Sequence, residues 1–184
     1  MNYILASGSP RRKELVKNLG INFQIIPSKY EEQLDDKYFS YEKIETLALN
    51  KALYVANEYR EPAIIIGADT VVVFDNIILT KPVNREDAFK TLKILSNNEH
   101  LVVTGMAVVD TYNNDSTVKS VTTKVTFNNL TDEMINYYID NYKPFDKAGS
   151  YGIQELPNGF VKYVDGSFEN VIGLCTETLK KMLK

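Results

Sequence analysis

The uninterrupted apolar run Ala63–Ile66 is the feature that most constrains how this chain can fold. A segment in which every residue is apolar is typical of a strand that is buried on both faces of a sheet. Shortly after it, Val71–Phe74 and Ile77–Leu79 are separated by Asp75-Asn76, a pattern that predicts a tight hairpin. Helical patterns alternate with these strands along the chain. The sequence therefore predicts an α/β fold with a mixed β-sheet and flanking helices.

Capping residues mark where the helices begin. Ser9 is a predicted N-cap with Pro10 at the first helical position, and Gly20 lies where that helix would end. Ser40 is predicted to cap a long helix that reaches Tyr59. The other predicted elements are helices that start at Asn84 and Thr131, strands at Tyr3–Ala6, Phe23–Ile26, Leu101–Val109 and Thr117–Phe127, a last hairpin at Phe160–Val164 with Asp165-Gly166, and a short helix at Thr178–Leu183.

The length and the cysteine content bound the class of protein. A chain of 184 residues can bury a core without a disulfide or a metal, and the lack of a repeat or linker predicts one domain over residues 1–184. Cys175 is the only cysteine, so an intramolecular disulfide is excluded and a reducing, cytoplasmic location is expected. No apolar run approaches the ~20 residues of a membrane span.

The charges are unevenly distributed, although the net charge is only −3. Residues 1–29 carry five cations and one acid, whereas residues 30–45 carry six acids and two lysines. A weakly acidic chain is a poor candidate for coating extended nucleic acid. A basic segment followed closely by an acidic one could serve a metal–phosphate ligand, and it could equally form two solvated faces.

The loop Ser7–Pro10 joins a predicted strand to a predicted helix. Free backbone N–H groups and the positive end of the helix dipole make such a loop a candidate anion site. Arg11 and Arg12 in the first turn are unfavourable against that dipole, so a bound anion would offset the clash. An ordinary strand–turn–helix connection with exposed arginines is the alternative.

Asp69 and Lys51 are candidate site residues because each charge falls in an apolar context. Asp69 is expected at the end of the buried strand, where Gly67 and Ala68 would leave room for a ligand. A buried acid must be paired, bind a ligand or face a cleft, and an ordinary loop acid is the alternative. Lys51 falls within an apolar helical stripe, so its ammonium either finds an anionic partner or extends to solvent at the edge of the stripe. The stripe consists of Ile44, Leu47, Ala48, Lys51, Ala52 and Val55.

The segment Asp146–Gln154 mixes charged residues with glycines, which suggests a loop shaped for close approach of a ligand, or an exposed turn. His100 is the only histidine, and Cys175 has no active-site context, so nucleophilic catalysis has no recognisable constellation. His100 is expected to satisfy a hydrogen bond at a strand edge. No His/Cys cluster offers a zinc site, so any metal should be a hard cation, Mg²⁺ or Mn²⁺.

Taken together, these segments resemble the Maf (septum-formation-inhibitor-like) family across nearly the whole chain. The motifs that carry the resemblance are Ile4–Arg12, Leu47–Ala52, Gly67–Val72, Lys81-Pro82, His100–Gly105 and Asp146–Gln154. The resemblance implies an inosine-triphosphatase-like (Maf/Ham1) fold in which two lobes surround a central cleft. It further implies a homodimer and a nucleoside triphosphate pyrophosphatase that needs a divalent cation and cuts between the α- and β-phosphates.

The resemblance also implies roles for particular residues. The catalytic acid of the family falls on Asp69, and Glu32 is implied as a further acid that helps hold the metal or water. The phosphate-contacting positions fall on Ser7, Arg11, Arg12, Lys51, Lys81 and Lys147.

Three positions resemble the branch of the family that acts on dTTP and UTP: Arg12, Thr70 and Gln154. A Gln amide offers one donor and one acceptor to the imide edge of uracil or thymine. Departures from the family pattern lie nearby, since Glu155 and Leu156 replace a usual glycine and Lys143 replaces a usual acid. The physiological substrate could be a normal or a modified pyrimidine nucleotide. The alternatives are a broad housecleaning pyrophosphatase and a nucleotide-binding regulator of septum formation and cell division without essential turnover.

Overall fold

The computed structural model describes residues 1–30 and 37–184, and within them seven strands form one sheet. The strands are β1 (Tyr3–Leu5), β2 (Phe23–Ile25), β3 (Ile64–Phe74), β4 (Ile77–Leu79), β5 (Glu99–Asp110), β6 (Asp115–Phe127) and β7 (Val161–Asp165). They lie in the order β2-β1-β3-β5-β6-β7, and β4 pairs with β3 beside that path. β1 is parallel to β2 and β3, whereas the other pairs are antiparallel. The predicted mixed sheet is confirmed.

Helices flank the sheet, and most of them begin at the predicted caps. They are α1 (Pro10–Lys17), α2 (Tyr41–Glu58), α3 (Arg85–Leu95), α4 (Asp132–Tyr142), α5 (Phe168–Ile172) and α6 (Thr176–Met182), with 3₁₀ turns at Ala148–Ser150 and Ile153–Glu155. The side chains of Ser9, Ser40, Asn84 and Thr131 each accept a backbone N–H in the first turn of their helix. None of the described helices is long and apolar enough to cross a membrane.

β3 is a single strand of 11 residues that runs straight through Asp69. Its ladder with β5 continues from Ile64 opposite Asp110 to Val73 opposite Leu101. The prediction that Asp69 ends the buried strand is therefore wrong. Apolar residues resume after Thr70, so the strand stays buried and its backbone groups stay paired beyond the acid.

One predicted hairpin is confirmed and one is wrong. Asp75 and Asn76 connect β3 to β4, and both have the positive φ that a two-residue hairpin turn requires. The Asp165-Gly166 pair does not turn the chain into another strand. β7 pairs with β6, and after Gly166 the side chain of Ser167 caps α5. The cap at Ser167 favours a helix at the point where the Asp-Gly pair alone indicated a turn.

β3 has one edge that is only partly covered. β5 pairs with Ile64–Val73 along the other edge, so β1 and β4 share this one. β1 pairs with Ile64–Ile66 and β4 pairs with Val72–Phe74, which leaves residues 67–71 without a neighbouring strand within the described chain. Ser7 comes just after β1 and Lys81 just after β4, so both flank this gap.

Apolar side chains cover both faces of the sheet. On one face, Ala48 and Ala52 of α2 pack against Ile65 of β3. On the other face, α1 and α6 pack against Ile66 and Met106. A further cluster under α3 and α4 contains the residues Leu92, Leu95, Phe127, Ile135, Tyr138, Tyr151 and Phe160.

Gly67 serves the packing of α2 rather than a ligand. A Cβ at this position would lie 2.2 Å from the carbonyl oxygen of Ala48 and 3.0 Å from the Cβ of Ala52. Ala68 is fully buried in the cluster on the opposite face. The expectation that these small residues leave room for a ligand is wrong, because a helix fills the space that Gly67 provides.

Candidate active site

A cleft of about 510 Å³ opens at the gap between β1 and β4. Within the described chain, five cations and two carboxylates line it, although the protein as a whole has a net charge of −3. These residues are Arg11, Arg12, Lys51, Lys81, Lys147, Asp69 and Asp146. The fold therefore concentrates positive charge from distant parts of the sequence around one concave site, where it favours an anionic ligand.

Asp69 and Lys51 form an ion pair inside the cleft. Side chains alternate along a strand, so Asp69 is on the same face of β3 as Gly67, which is the face that α2 covers. The side chain of Asp69 is 9% exposed and that of Lys51 is 15% exposed. Of the two alternatives for Lys51, the structure shows an ammonium that meets a carboxylate. A carboxylate held in this way can orient or deprotonate water, or bind a metal.

The guanidinium of Arg12 is fixed by hydrogen bonds to three different segments. It donates from Nε to the carbonyl of Gly173 at 2.9 Å, from Nη2 to Oγ1 of Thr70 at 3.0 Å and from Nη1 to Oγ of Ser7 at 3.3 Å. Oγ1 of Thr70 shares a further hydrogen bond of 2.9 Å with Oγ1 of Thr104. The predicted site residues Ser7, Arg12 and Thr70 are thus joined in one hydrogen-bond network. This network fixes the positions of their polar groups in the absence of a ligand.

Asp146 joins Arg11 of α1 to Lys147 of the glycine-rich loop. Its Oδ2 lies 3.3 Å from Nη1 of Arg11, and its Oδ1 accepts a hydrogen bond of 2.8 Å from Nζ of Lys147. Partial burial raises the pKa of the Asp146 carboxyl, but the hydrogen bond from Lys147 and the nearby charges outweigh burial and leave this pKa below its usual range. The carboxylate therefore pairs with two of the cations that line the cleft, and an anionic ligand at these cations would compete with it.

The loop that carries Lys147 is held by close backbone contacts. Gly149 has φ +65°, and a Cβ there would lie 2.7 Å from the side chain of Val72, so only glycine fits this approach. The N–H of Gly149 donates to the carbonyl of Thr80 at 3.3 Å. Further along the loop, the N–H of Gly152 donates to the hydroxyl of Tyr138 at 3.1 Å. The glycine-rich segment is thus an ordered wall of the cleft.

His100 lies behind this loop, as the second residue of β5. It is 2% exposed on β5, and its Nε2 shares a hydrogen bond of 2.7 Å with the hydroxyl of Tyr151. The expected hydrogen bond is therefore made, with Tyr151 as the partner. At His100, β5 pairs with β6, and the ladder between β5 and β3 ends at Leu101. Burial lowers the pKa of His100 to about 4, so the imidazole is neutral at neutral pH.

The buried imidazole predicts a pH-dependent stability. Unfolded His100 has a pKa of about 6.5, so between this pH and the folded value of about 4 the unfolded chain binds a proton that the folded chain does not. The free energy of unfolding should fall as the pH falls through this window, by about 3 kcal/mol in total. In H100Q the other ionisable groups are unchanged, so the difference between the two proteins in urea unfolding measured from pH 7 to pH 4 isolates this effect. Parallel pH curves for the two proteins would contradict it.

The structure places nine of the predicted site residues on one cleft: Ser7, Arg11, Arg12, Lys51, Asp69, Thr70, Lys81, Lys147 and Gln154. Lys81 and Gln154 are exposed there. Glu32 lies outside the described residues. The described residues include no group of three or more potential metal ligands. Mg²⁺ is commonly bound by one or two carboxylates together with substrate phosphates, and the oxygen donors of Asp69 fit that kind of site.

Several residues of the site were missed by the sequence reasoning. The carbonyl of Gly173 and the hydroxyl of Thr104 hold Arg12 and Thr70, and the carboxylate of Glu155 lies 3.2 Å from Nζ of Lys147. Thr104 lies within the motif His100–Gly105, so the sequence contained a signal that this residue belongs to the site. The identity of Gly173 as a glycine does not indicate that its backbone carbonyl accepts a hydrogen bond from Arg12.

Comparison with known proteins identifies the class. A family model described as "Maf-like protein" matches residues 2–184. This chain belongs to the Maf-like protein family. In fold, the chain is similar to a solved HAM1 protein from Coxiella burnetii, with a TM-score of 0.52, 16% identity and coverage of 100% of this chain and 98% of that one. The predicted Maf/Ham1 type of fold is confirmed.

Two curated bacterial relatives are similar over nearly their whole length, and a human relative is similar over part of its length. A dTTP/UTP pyrophosphatase of Clostridium novyi (strain NT) is 44% identical over 185 residues, which cover 99% of this chain and 96% of the relative. A dTTP/UTP pyrophosphatase of Clostridium beijerinckii is 43% identical, with coverage of 100% and 98%. A human protein named as a probable bifunctional dTTP/UTP pyrophosphatase/methyltransferase is 42% identical over 92% of this chain and 30% of its own length.

Proposed function

We propose that this protein is a nucleoside triphosphate pyrophosphatase that hydrolyses dTTP and UTP, or modified pyrimidine nucleotides, to the monophosphate and pyrophosphate. The observation that carries the proposal is the Asp69–Lys51 pair inside a cleft lined by Arg11, Arg12, Lys81 and Lys147. The relatives named as dTTP/UTP pyrophosphatases, two of them 44% and 43% identical over nearly the whole chain, support both the reaction and the substrates.

In the proposed reaction, water attacks the α-phosphorus in line with the bond to the α,β-bridging oxygen. That bond breaks, and pyrophosphate leaves with the electron pair. Asp69 orients the water or accepts its proton, or holds the metal, and Lys51 keeps the carboxylate in place. Arg11, Lys81, Lys147 and the N–H groups at the start of α1 neutralise charge on the departing pyrophosphate.

Asp69 and Glu32 are the residues proposed to hold a divalent cation. When bound, Mg²⁺ or Mn²⁺ would stabilise negative charge on the phosphate oxygens. Nucleophilic side-chain chemistry is unnecessary in this scheme, because the water itself forms the new bond to phosphorus.

Selectivity for the pyrimidine is proposed to rest on Gln154, together with Arg12 and Thr70, which line the same cleft. Gln154 lies at the cleft surface, one residue after the second 3₁₀ turn begins. Its amide can donate to a carbonyl and accept from the N–H of uracil or thymine at the same time. The hydrogen bonds from Arg12 through Thr70 to Thr104 hold these side chains in place when the base binds.

Gln154→Glu is expected to lower kcat/KM for dTTP and UTP by roughly 10- to 100-fold, because a carboxylate loses the donor and must be desolvated beside the base carbonyl. Initial rates of pyrophosphate release with each nucleotide measure the effect. Gln24→Glu is a matched control, since Gln24 is exposed on β2 away from the cleft. Equal loss of kcat/KM for purine and pyrimidine triphosphates in Q154E would show that Gln154 does not read the base.

The proposed function is tested by incubating the protein with a panel of nucleoside triphosphates and Mg²⁺ or Mn²⁺. Pyrophosphate and orthophosphate are measured separately. We expect pyrophosphate from dTTP and UTP and little turnover of purine nucleotides. Release from modified and deaminated nucleotides alike would support the broad housecleaning enzyme, and binding without turnover would support a regulator of septum formation and cell division.

A homodimer is proposed from the family resemblance, and analytical ultracentrifugation tests it. The arrangement of residues 1–184 as one Maf-type domain in two lobes and the cytoplasmic location also stay predictions.

A further inference from the structure

Glu155 lies beside the cleft, and the proposed reaction assigns it no role. It ends the 3₁₀ turn Ile153–Glu155, directly after Gln154. Its Oε2 is buried and lies 3.2 Å from Nζ of Lys147, and within the described chain this oxygen has no hydrogen-bond partner. Since a buried carboxylate oxygen is costly without compensation, its main stabilisation comes from the charge of Lys147.

Gly152 is what allows Lys147 and Glu155 to approach each other. A Cβ at Gly152 would lie 2.8 Å from Cε of Lys147, 3.0 Å from its Cδ and 3.4 Å from Oε2 of Glu155. The aliphatic stem of Lys147 thus crosses directly over the glycine on its way to the carboxylate. The lysine side chain is only 8% exposed, so its course is set by these neighbours and not by solvent.

Asp146 and Glu155, the two carboxylates on Lys147, occupy different positions relative to the cleft. Asp146 lines the cleft, is 64% exposed and also contacts Arg11. Glu155 is not among the described residues that line the cleft, and its side chain is 41% exposed. An anionic ligand that reaches both Arg11 and Lys147 therefore competes with Asp146 for them, whereas Glu155 stays in place behind the lysine.

We propose that Glu155 is a positioning residue that holds Lys147 in its ligand-binding orientation. The inference rests on the proposed function, because it assigns Lys147 to a phosphate group of the triphosphate. In the free protein, Asp146 and Glu155 share the ammonium. When the triphosphate replaces Asp146, Glu155 keeps the lysine directed into the cleft, so binding does not have to order a long flexible side chain.

The test compares E155Q with E155D and with E177Q. Glu177 pairs with Lys181 on α6 with its side chain 79% exposed, so E177Q removes one carboxylate charge without touching Lys147. Binding of inorganic pyrophosphate and of a non-hydrolysable dTTP analogue is measured by calorimetry. We expect E155Q to bind both about fivefold to tenfold more weakly, which corresponds to the ordering of one long side chain. E155D should fall between E155Q and the wild type, and E177Q should match the wild type.

The direction in which E155Q changes the affinity for pyrophosphate distinguishes a positioning role from electrostatic repulsion. If Glu155 merely repelled the bound phosphates, E155Q would bind pyrophosphate more tightly, and that outcome overturns the inference.

A double-mutant cycle distinguishes the positioning role from a purely structural one. If Glu155 acts through Lys147, E155Q should cause no further loss of affinity in a Lys147→Met background. An equal loss in both backgrounds would show that Glu155 acts elsewhere. Wild-type turnover of dTTP is measured in parallel: unaltered E155Q binding beside normal turnover refutes the positioning role alone, whereas a wild type that neither binds nor hydrolyses refutes the proposed function with it.

Discussion

Asp69→Asn should lower pyrophosphate release from dTTP by on the order of 10³-fold while leaving the triphosphate bound, since general-base catalysis contributes about 10²- to 10⁴-fold. The substituted amide keeps the size of the side chain and an oxygen that can accept from Lys51, but it cannot take a proton from water. Because Asp69 lies among the cations that are proposed to bind the phosphates, removing its negative charge is not expected to weaken anion binding. Initial rates give the loss of turnover, and calorimetry with a non-hydrolysable dTTP analogue gives the affinity.

Asp75→Asn is the matched control for this prediction. Asp75 lies in the exposed β3–β4 turn at positive φ, a conformation that asparagine tolerates well. D75N should therefore keep full turnover. Undiminished pyrophosphate release from D69N would remove Asp69 from the mechanism. Repeating the calorimetry with and without Mg²⁺ separates the two proposed roles, because D69N should lose the metal dependence of the affinity if Asp69 is a metal ligand.

Local signals in the sequence predict the starts of four of the six described helices, whereas α5 is not predicted and α6 begins at Thr176 instead of the predicted Thr178. Ser9, Ser40, Asn84 and Thr131 cap helices in the structure because a capping side chain acts on N–H groups within three residues of itself. The mixed sheet was also predictable, because hairpins and buried strands have different hydrophobic patterns. The last hairpin failed because Asp165-Gly166 is compatible with a turn into a helix as well as a turn into a strand.

The contacts within the site depend on tertiary register, which residue types do not reveal. Lys51 and Asp69 were each identified as charges that need a partner, yet their pairing depends on how α2 is placed along β3. The local pattern predicts a strand end at Asp69, because it does not reveal that β5 pairs with β3 from Ile64 to Val73. The interaction of Glu155 with Lys147 required the approach over Gly152, which exists only in the folded loop.

Gly67→Ala tests how strongly the placement of α2 along β3 depends on the absence of a side chain at Gly67. The new Cβ would lie 2.2 Å from the carbonyl oxygen of Ala48 in α2, and a backbone atom in a helix cannot rotate away. α2 has to move off the sheet, and we expect a loss of about 3 kcal/mol, at the upper end of what overpacking costs. For a chain of this size the melting temperature should fall by roughly 6 to 12 °C. Thermal unfolding followed by circular dichroism measures it.

Gly8→Ala is the control for the unfolded-state contribution that every Gly-to-Ala change carries. A Cβ at Gly8 would meet only Pro27 at 3.7 Å, an ordinary contact, so its melting temperature should change little. G67A should also lose turnover, because a displaced α2 carries Lys51 away from Asp69. The contradicting outcome is a G67A protein that has the melting temperature of G8A and full turnover. It would mean that the Lys51–Asp69 ion pair does not depend on how α2 is placed along β3.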